Sequence, residues 1–303
     1  MFLVIFLYML MASTFTIGKV IMSYLNPLFF IGVRMIVGGG CLLAYQYLFK
    51  RDSFCIKKKD YLLFAGLAFF HIFLTFCCEF WALGRMGSAK LCLFFNLMPF
   101  VTALLSYILF TEKITKKQFA GLVIGFLGFL PILMGQNFET SAVGFMSWAE
   151  IVLLVSVFSG AYGWIIMQQL VDKDDYSPVF ANGIGMFFGG ILSMFASLAV
   201  EGAPKLLMTS GSLTTDLLTV VGYTGLLIII ANFICYNLYG FLLRSYTATF
   251  VSFAGFICPL FTAVYGWFFL GETVGWAFFA TSVIVLFGLY IFHQDELKKG
   301  FIK

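Results

Sequence analysis

"NLMPFVTALLSYILFTEK", residues 96 to 113, places a proline inside an apolar run and a glutamate thirteen positions after it. "GFICPLFTAVYGWFFLGET", residues 255 to 273, does the same, so that Pro99 becomes Pro259 and Glu112 becomes Glu272, each shifted by 160 positions. Aligned without gaps, 99–128 and 259–288 share nine of thirty residues, among them Thr102/Thr262, Ala103/Ala263, Phe119/Phe279, Ala120/Ala280 and Gly128/Gly288. A second echo joins "PLFFIGVRMIVGGG" (27–40) to "PVFANGIGMFFGGI" (178–191), pairing Pro27 with Pro178, Gly32 with Gly183, Met35 with Met186, and Gly38–Gly39 with Gly189–Gly190. A repeat of this kind has to be found before the fold is read, because it decides the architecture.

The medium in which the repeat folds follows from composition. The 303 residues are 62% hydrophobic and 11% charged, with a mean hydropathy of +1.02. A soluble domain carries roughly 25% charged residues. This chain has too few to coat a water-facing surface, so lipid must be its solvent. Ten segments reach the length of about 20 apolar residues that a span needs: 2–18, 27–49, 61–84, 88–111, 117–134, 146–170, 178–200, 217–243, 246–270 and 274–292. They are continuously apolar, not alternating as in a membrane barrel. The expected fold is an all-α integral membrane protein of ten transmembrane helices. The N-terminus "MFLVIFLYMLMASTFTIGK" has no basic flank and no cleavage site, and reads as a retained first span.

Orientation comes from lysine and arginine. One set of alternate loops holds thirteen (Lys50, Arg51, Lys57, Lys58, Lys59, Lys113, Lys116, Lys117, Lys173, Arg244, Lys298, Lys299 and Lys303), and the other holds four (Lys19, Arg85, Lys90 and Lys205). The positive-inside rule makes the richer set cytoplasmic, with both termini inside. The net charge of +4 is therefore a topology signal and no nucleic-acid footprint. Five spans per copy is an odd number, so the second copy enters the membrane from the opposite side. Residues 1–135 and 146–292 then form two inverted five-helix repeats, followed by a polar cytoplasmic tail at 293–303. Many secondary transporters share that architecture.

The residues available for chemistry narrow the function. Seven cysteines lie mostly in apolar segments without metal-ligand spacing, and two histidines (His71, His293) are unclustered, so no metal and no cofactor is expected. Proline lacks an amide hydrogen and clashes with the carbonyl four residues back. Pro99 and Pro259 at matching depth therefore mark either packing kinks or a cavity lining and hinge, and Asn96 adds a polar side chain beside the first. Glu112 and Glu272 each precede a helix, where a carboxylate suits the positive end of the helix dipole, and "TKKQ" (115–118) has the pattern of a capping box. Both glutamates read as helix-start fixtures. Arg34 and Glu79 are charges inside spans, which are expensive there. Both lie roughly 8–10 Å in from the outer surface at 1.5 Å per residue, so they suit an ion pair that only fixes packing, or a site for a charged substrate or a coupling proton. Lys90 is a competing partner. Trp81, Tyr107, Trp164, Tyr239 and Tyr265 have polar tips that need partners when buried, and beside Glu79 they suit a cage for a cationic group. The glycines at 38–40 and 189–190 permit close helix approach.

Taken together, the ten spans and the Pro99…Glu112…Gly121…Gly128 series with its Pro259…Glu272…Gly288 echo resemble the drug/metabolite transporter superfamily, EamA type. "ASTFTIGK" (12–19) is similar to that family's small-polar first-span signature, with Ser13 and Thr14 where a tryptophan often stands, and "FFIGVR" (29–34) to its second-span arginine. Gly185 replaces the arginine in the second copy, and Thr281 replaces the glycine matching Gly121. The resemblance covers essentially the whole chain. It implies a central cavity lined chiefly by spans 1, 3, 4, 6, 8 and 9, with Ser13 near it, and alternating access for small organic metabolites. Members carry amino acids, purines, nucleotide sugars, polyamines and, in some intracellular bacteria, S-adenosylmethionine. A Phe-rich chain that prefers Lys to Arg fits an AT-rich genome, which leans toward the last.

The expected protein is a secondary active transporter in a bacterial cytoplasmic membrane, a monomer or homodimer, moving a small zwitterionic or cationic metabolite. A coupling proton or an exchanged metabolite would drive it, since no ATP-binding motif is present. Two rivals stand: a passive channel, which an inverted repeat disfavours, and a membrane enzyme acting on lipid-linked substrates, which needs clustered acid–base or metal residues near one interface.

Overall fold

The computed structural model describes residues 2–22, 24–50, 55–83, 97–110, 115–135, 148–202 and 213–258, isolated positions between 85 and 95, and parts of 260–295. Among these residues every element is helical, as hydrocarbon demands of a chain that must satisfy its backbone internally. The order is α1 (Phe2–Met22), α2 (Pro27–Phe49), α3 (Tyr61–Gly66, Leu67–Leu74 and Thr75–Leu83 in one run), α4 (Met98–Phe110), α5 (Lys116–Gly135), α6 (Trp148–Gln168, prolonged by Gln169–Lys173), α7 (Pro178–Val200), α8 (Leu213–Leu227, Ile228–Cys235 and Tyr236–Leu242 in one run) and α9 (Ala248–Ala254, prolonged by Gly255–Ile257). Helical residues recur at 283–284, 286–288 and 290–292. Among the described residues five stretches are long and apolar enough to cross a bilayer: Pro27–Phe49, Lys58–Ala82, Trp148–Lys173, Pro178–Val200 and Thr214–Leu242. This is an all-α membrane protein. The fourth and tenth expected spans fall partly on residues outside the described set, and Asn96, Glu112, Pro259 and Glu272 lie wholly outside it.

α2 and α7 cross closely, and the glycines decide it. A Cβ added to Gly39 would stand 2.5 Å from the Phe187 backbone nitrogen, and one on Gly190 would stand 2.8 Å from that of Ile36. Likewise a Cβ on Gly32 would meet the Met194 nitrogen at 3.1 Å, and one on Gly183 would meet Leu43 Cδ2 at 3.0 Å. The pairs 32–194, 36–190, 39–187 and 43–183 run in opposite directions along the two helices, so α2 and α7 are antiparallel. Each contact also has a counterpart with the roles of the helices exchanged. Such self-complementary contact is what a two-fold axis produces. Pro27 and Pro178 open the two helices at the first turn, where the missing amide hydrogen costs nothing. Beyond the end of α7, the Glu201 carboxylate accepts the Leu28 and Phe29 amides of α2 at 3.0 and 3.1 Å, satisfying two of the orphan donors at a helix start.

α3 and α8 share a rarer feature. Each contains eight residues of π-helix, Leu67–Leu74 in one and Ile228–Cys235 in the other. A π segment rotates every later side chain relative to an α-helix and leaves carbonyls in need of partners. In α3 these come from side chains: Phe70 O accepts from Thr75 Oγ1 at 2.7 Å and from Ser159 Oγ of α6 at 2.7 Å, and Thr75 O accepts from Ser156 Oγ at 2.9 Å. Gly160 and Gly163 bring α6 close enough for this. A Cβ on Gly163 would fall 2.3 Å from His71 Cβ.

Near the prolines the regular α-helix is broken or tightened. The chain turns at Leu97, with its amide bonded to Phe94 O at 3.0 Å, and α4 starts afresh at Met98. Pro99 therefore sits in a first helical turn, not in the interior of one continuous helix. In the other copy α9 tightens to 3-10 helix over Gly255–Ile257, just before Pro259. The capping box is formed as expected: the Gln118 amide donates to Thr115 Oγ1 and the Thr115 amide to Gln118 Oε1, both at 3.0 Å.

One end of the bundle is closed by a polar cluster. The Tyr176 hydroxyl accepts the Lys57 amide at 2.9 Å and donates to Asp60 Oδ2 at 2.8 Å, while Lys59 Nζ reaches Asp174 Oδ1 at 2.6 Å. Arg244 adds a bond to Tyr176 O at 3.1 Å, so the entries to α3, α7 and α9 are tied together. Burial, and then the bond to Asp60, raises the Tyr176 phenol above its ordinary pKa and keeps it a neutral donor.

Candidate functional site: a charged, aromatic cavity

Between the helices lies a cavity of about 170 Å³, far more than a single water requires. α1 contributes Tyr8, Met11, Thr14 and Gly18, and α3 contributes His71, Thr75, Phe76, Glu79 and Phe80. Phe95 and Met98 reach it from the broken fourth span, Gly160 and Trp164 from α6, Tyr236 and Tyr239 from α8, and Ser252, Gly255, Phe256 and Cys258 from the α9 region. All six expected spans line it, and α2 adds Arg34.

The two charges define the chemistry. Arg34 is 4% exposed and Glu79 is 8% exposed. Each lies in the other's field, yet among the described residues no ion pair joins them. The Arg34 guanidinium is held over Phe76 at 5.3 Å and Phe30 at 6.0 Å, and its Nε has no hydrogen-bond partner. Rings thus carry part of the cost of keeping the cation out of water. At the position matching Arg34, Gly185 packs against Leu67, where its Cβ would be 3.1 Å from Leu67 Cδ2; the second copy has no room for an arginine. The cavity is electrostatically one-sided for that reason.

The walls are aromatic and fixed. Trp164 stacks on Tyr239 with ring centroids 3.4 Å apart and 12° between planes, and Tyr236 lies 5.7 Å from Trp164. Tyr239 Oη meets Ser252 Oγ at 3.1 Å, Ser252 Oγ meets Thr102 Oγ1 at 3.3 Å, and Tyr8 donates to Val251 O at 2.6 Å. This chain of hydroxyls ties α1, α4, α8 and α9 around the cavity.

Of the residues singled out from sequence, Arg34, Glu79, Trp164 and Tyr239 meet in the cavity. Ser13 instead donates to its own helix at Leu10 O, 2.7 Å away. Trp81 turns away and carries Arg85 over its ring at 3.9 Å. Tyr107 is 53% exposed on the outer face of α4, and Tyr265 donates to Met9 O at 2.9 Å. Pro99 is buried next to the cavity-lining Met98. Sequence reasoning passed over Tyr8, His71, Thr75 and Tyr236. A signal existed for two of them: His71, Thr75 and Glu79 are four residues apart, one face of a helix.

A helical membrane bundle with opposite charges and stacked rings facing a central cavity is the build of a small-molecule transporter. The chain belongs to the EamA-like transporter family, which matches residues 1–134 and 147–293, and hence to the drug/metabolite transporter superfamily. It is 32% identical over 295 residues to the S-adenosylmethionine/S-adenosylhomocysteine transporter of Chlamydia muridarum, covering 96% of this chain and 90% of that one. It is 27% identical over 300 residues to the "Probable amino-acid metabolite efflux pump" of Salmonella typhimurium, covering 96% and 93%. A solved crystal structure with 14% identity superposes with a TM-score of 0.72 over 96% of this chain and 93% of its own, a likeness of fold alone.

Proposed function

We propose that this chain is a secondary carrier that works by alternating access and moves a zwitterionic metabolite of the S-adenosylmethionine and S-adenosylhomocysteine type across a bacterial cytoplasmic membrane. One observation carries the reading. Arg34 and Glu79 are buried, opposite in sign, unpaired with each other, and face one aromatic-walled cavity. A free amino-acid head offers a carboxylate to the first and an ammonium to the second. Trp164 and Tyr239 complete the wall, and a sulfonium is the kind of cation such rings accept. The names of relatives from Chlamydia and Salmonella point to the same substrate classes.

The moving parts are two inverted halves, 1–135 and 146–292. Support comes from the antiparallel, self-complementary α2–α7 contact, from the matching π segments in α3 and α8, and from the departures from regular α-helix just before Pro99 and Pro259. The lysine-rich loops support a cytoplasmic side for the Tyr176 cluster. Equilibrium binding tests the reading: purified protein is expected to bind S-adenosylmethionine and S-adenosylhomocysteine, with affinity lowered about tenfold in Glu79→Gln and in Arg34→Gln, one charge-assisted contact being lost in each. Wild-type affinity in either variant would remove that residue's charge from the site.

A further inference from the structure

We propose that the cavity has two ends, and that His71 is the specificity-determining residue that reads a purine-type heteroaromatic end of the substrate while Arg34 and Glu79 hold its charged end. This rests on the carrier reading above and adds to it a residue and a ligand edge.

His71 is 3% exposed, lines the cavity, and has no hydrogen-bond partner at either ring nitrogen. A buried imidazole without partners is costly, and two backbone carbonyls close to it in sequence are already taken by hydroxyls. Phe70 O takes the Thr75 and Ser159 hydroxyls, and Thr75 O takes Ser156. Phe70 O and Thr75 O are thus already served; Gly160 of α6 offers the imidazole a backbone carbonyl, but not within hydrogen-bond geometry, so its nitrogens remain for what enters the cavity. Its ring is fixed edge-on to Trp164, 4.2 Å between centroids, and lies 5.8 Å from Tyr236. It therefore presents its nitrogens from a rigid, apolar-walled position.

The chemistry of the ligand edge follows from the imidazole. In its neutral form it offers one N–H donor and one lone-pair acceptor. An adenine-type edge, with an amino group beside an acceptor ring nitrogen, supplies a partner for either. A carboxylate or an ammonium would each use one role only. Spacing agrees. His71 and Glu79 both face the cavity from α3, eight positions apart, a separation of roughly 12 Å at the α-helical rise and somewhat less through the π segment. That exceeds the reach of a free amino acid and suits a nucleoside extended by an amino-acid chain. Binding sites that hydrogen-bond a substrate group discriminate sharply against analogues lacking it.

The test is competition binding against labelled S-adenosylhomocysteine, with adenosine and methionine as competitors, on wild type, His71→Ala, His71→Gln and Glu79→Gln. Wild type is expected to be competed by both. In His71→Ala, adenosine competition should fall at least about tenfold with methionine competition retained, and His71→Gln, which keeps a donor and an acceptor, should recover part of it. Glu79→Gln should show the converse pattern. The adenosine-to-methionine ratio is read within each variant, so a smaller folded fraction cancels. If His71→Ala and His71→Gln both keep the wild-type ratio, the His71 assignment is wrong and the carrier reading stands. If wild type binds methionine but no adenosine compound, the purine end is wrong. If it binds neither S-adenosyl compound nor methionine, the carrier reading itself fails, and the subsite with it.

Discussion

Glu79 and Arg34 show how a single side chain can be both a liability and the reason for a protein. An ionised group in a membrane interior costs several kcal/mol unless something compensates it. Here the compensation is partial, from Phe30 and Phe76 under the guanidinium and from the opposite charge across the cavity. Two variants separate structure from transport. Glu79→Gln should retain the fold, because no ion pair is broken, and should reduce uptake of S-adenosylmethionine by about tenfold or more, one lost charge-assisted contact being worth roughly 1.5–3 kcal/mol. Transport at wild-type rate by Glu79→Gln at every pH would exclude both a substrate contact and a proton role for that carboxylate. Tyr176→Phe belongs to the other kind. It removes the bonds to Lys57 and Asp60 and leaves the Asp60 carboxylate buried, so thermal unfolding in detergent should register a loss of about 1–3 kcal/mol while substrate affinity stays put.

Elements carry the next level, and there the glycines set the outcome. Gly39→Ala places a methyl 2.5 Å from a backbone nitrogen of α7, a contact that no rotamer change relieves. Overpacking of this kind costs about 1–3 kcal/mol, and Gly190→Ala, its counterpart, should cost a similar amount in the same unfolding assay. If either variant unfolds like wild type, the α2–α7 crossing is wrongly placed. Much at this scale was readable in the sequence. The paired glycines, the proline starts of α2 and α7 and the Thr115–Gln118 cap each have a local physical cause that needs no tertiary knowledge. Side-chain facing was not readable. In a bilayer an aromatic ring is accepted both by lipid and by the bundle, so hydropathy did not separate Tyr107, exposed on α4, from Tyr239, stacked in the cavity. The π segments add to the difficulty. They rotate the residues that follow, and nothing in "LAFFHIFL" or "IIIANFIC" announces the change of pitch. Tyr236, which follows the second of them, was hidden by that rotation. The reading of Pro99 changed for a related reason, since the chain resolves the conflict by ending one helix and starting another.

At the scale of the whole molecule, a carrier requires two arrangements of similar stability about one site. The design visible here suits that. α2 and α7 form a closely packed antiparallel pair, the Tyr176 cluster ties one end, and the Glu201 carboxylate ties α2 to α7 near the other. Exchange between the two ends would break one set of polar contacts while forming another, and the cavity between them would face each side in turn. The most direct test is counterflow in proteoliposomes: labelled S-adenosylmethionine outside, with unlabelled S-adenosylhomocysteine or buffer alone inside. Internal substrate is expected to accelerate and transiently raise uptake of the label well above the buffer control, and Glu79→Gln should abolish that stimulation. Uptake that is the same with and without internal substrate would contradict alternating access and leave a channel as the better description.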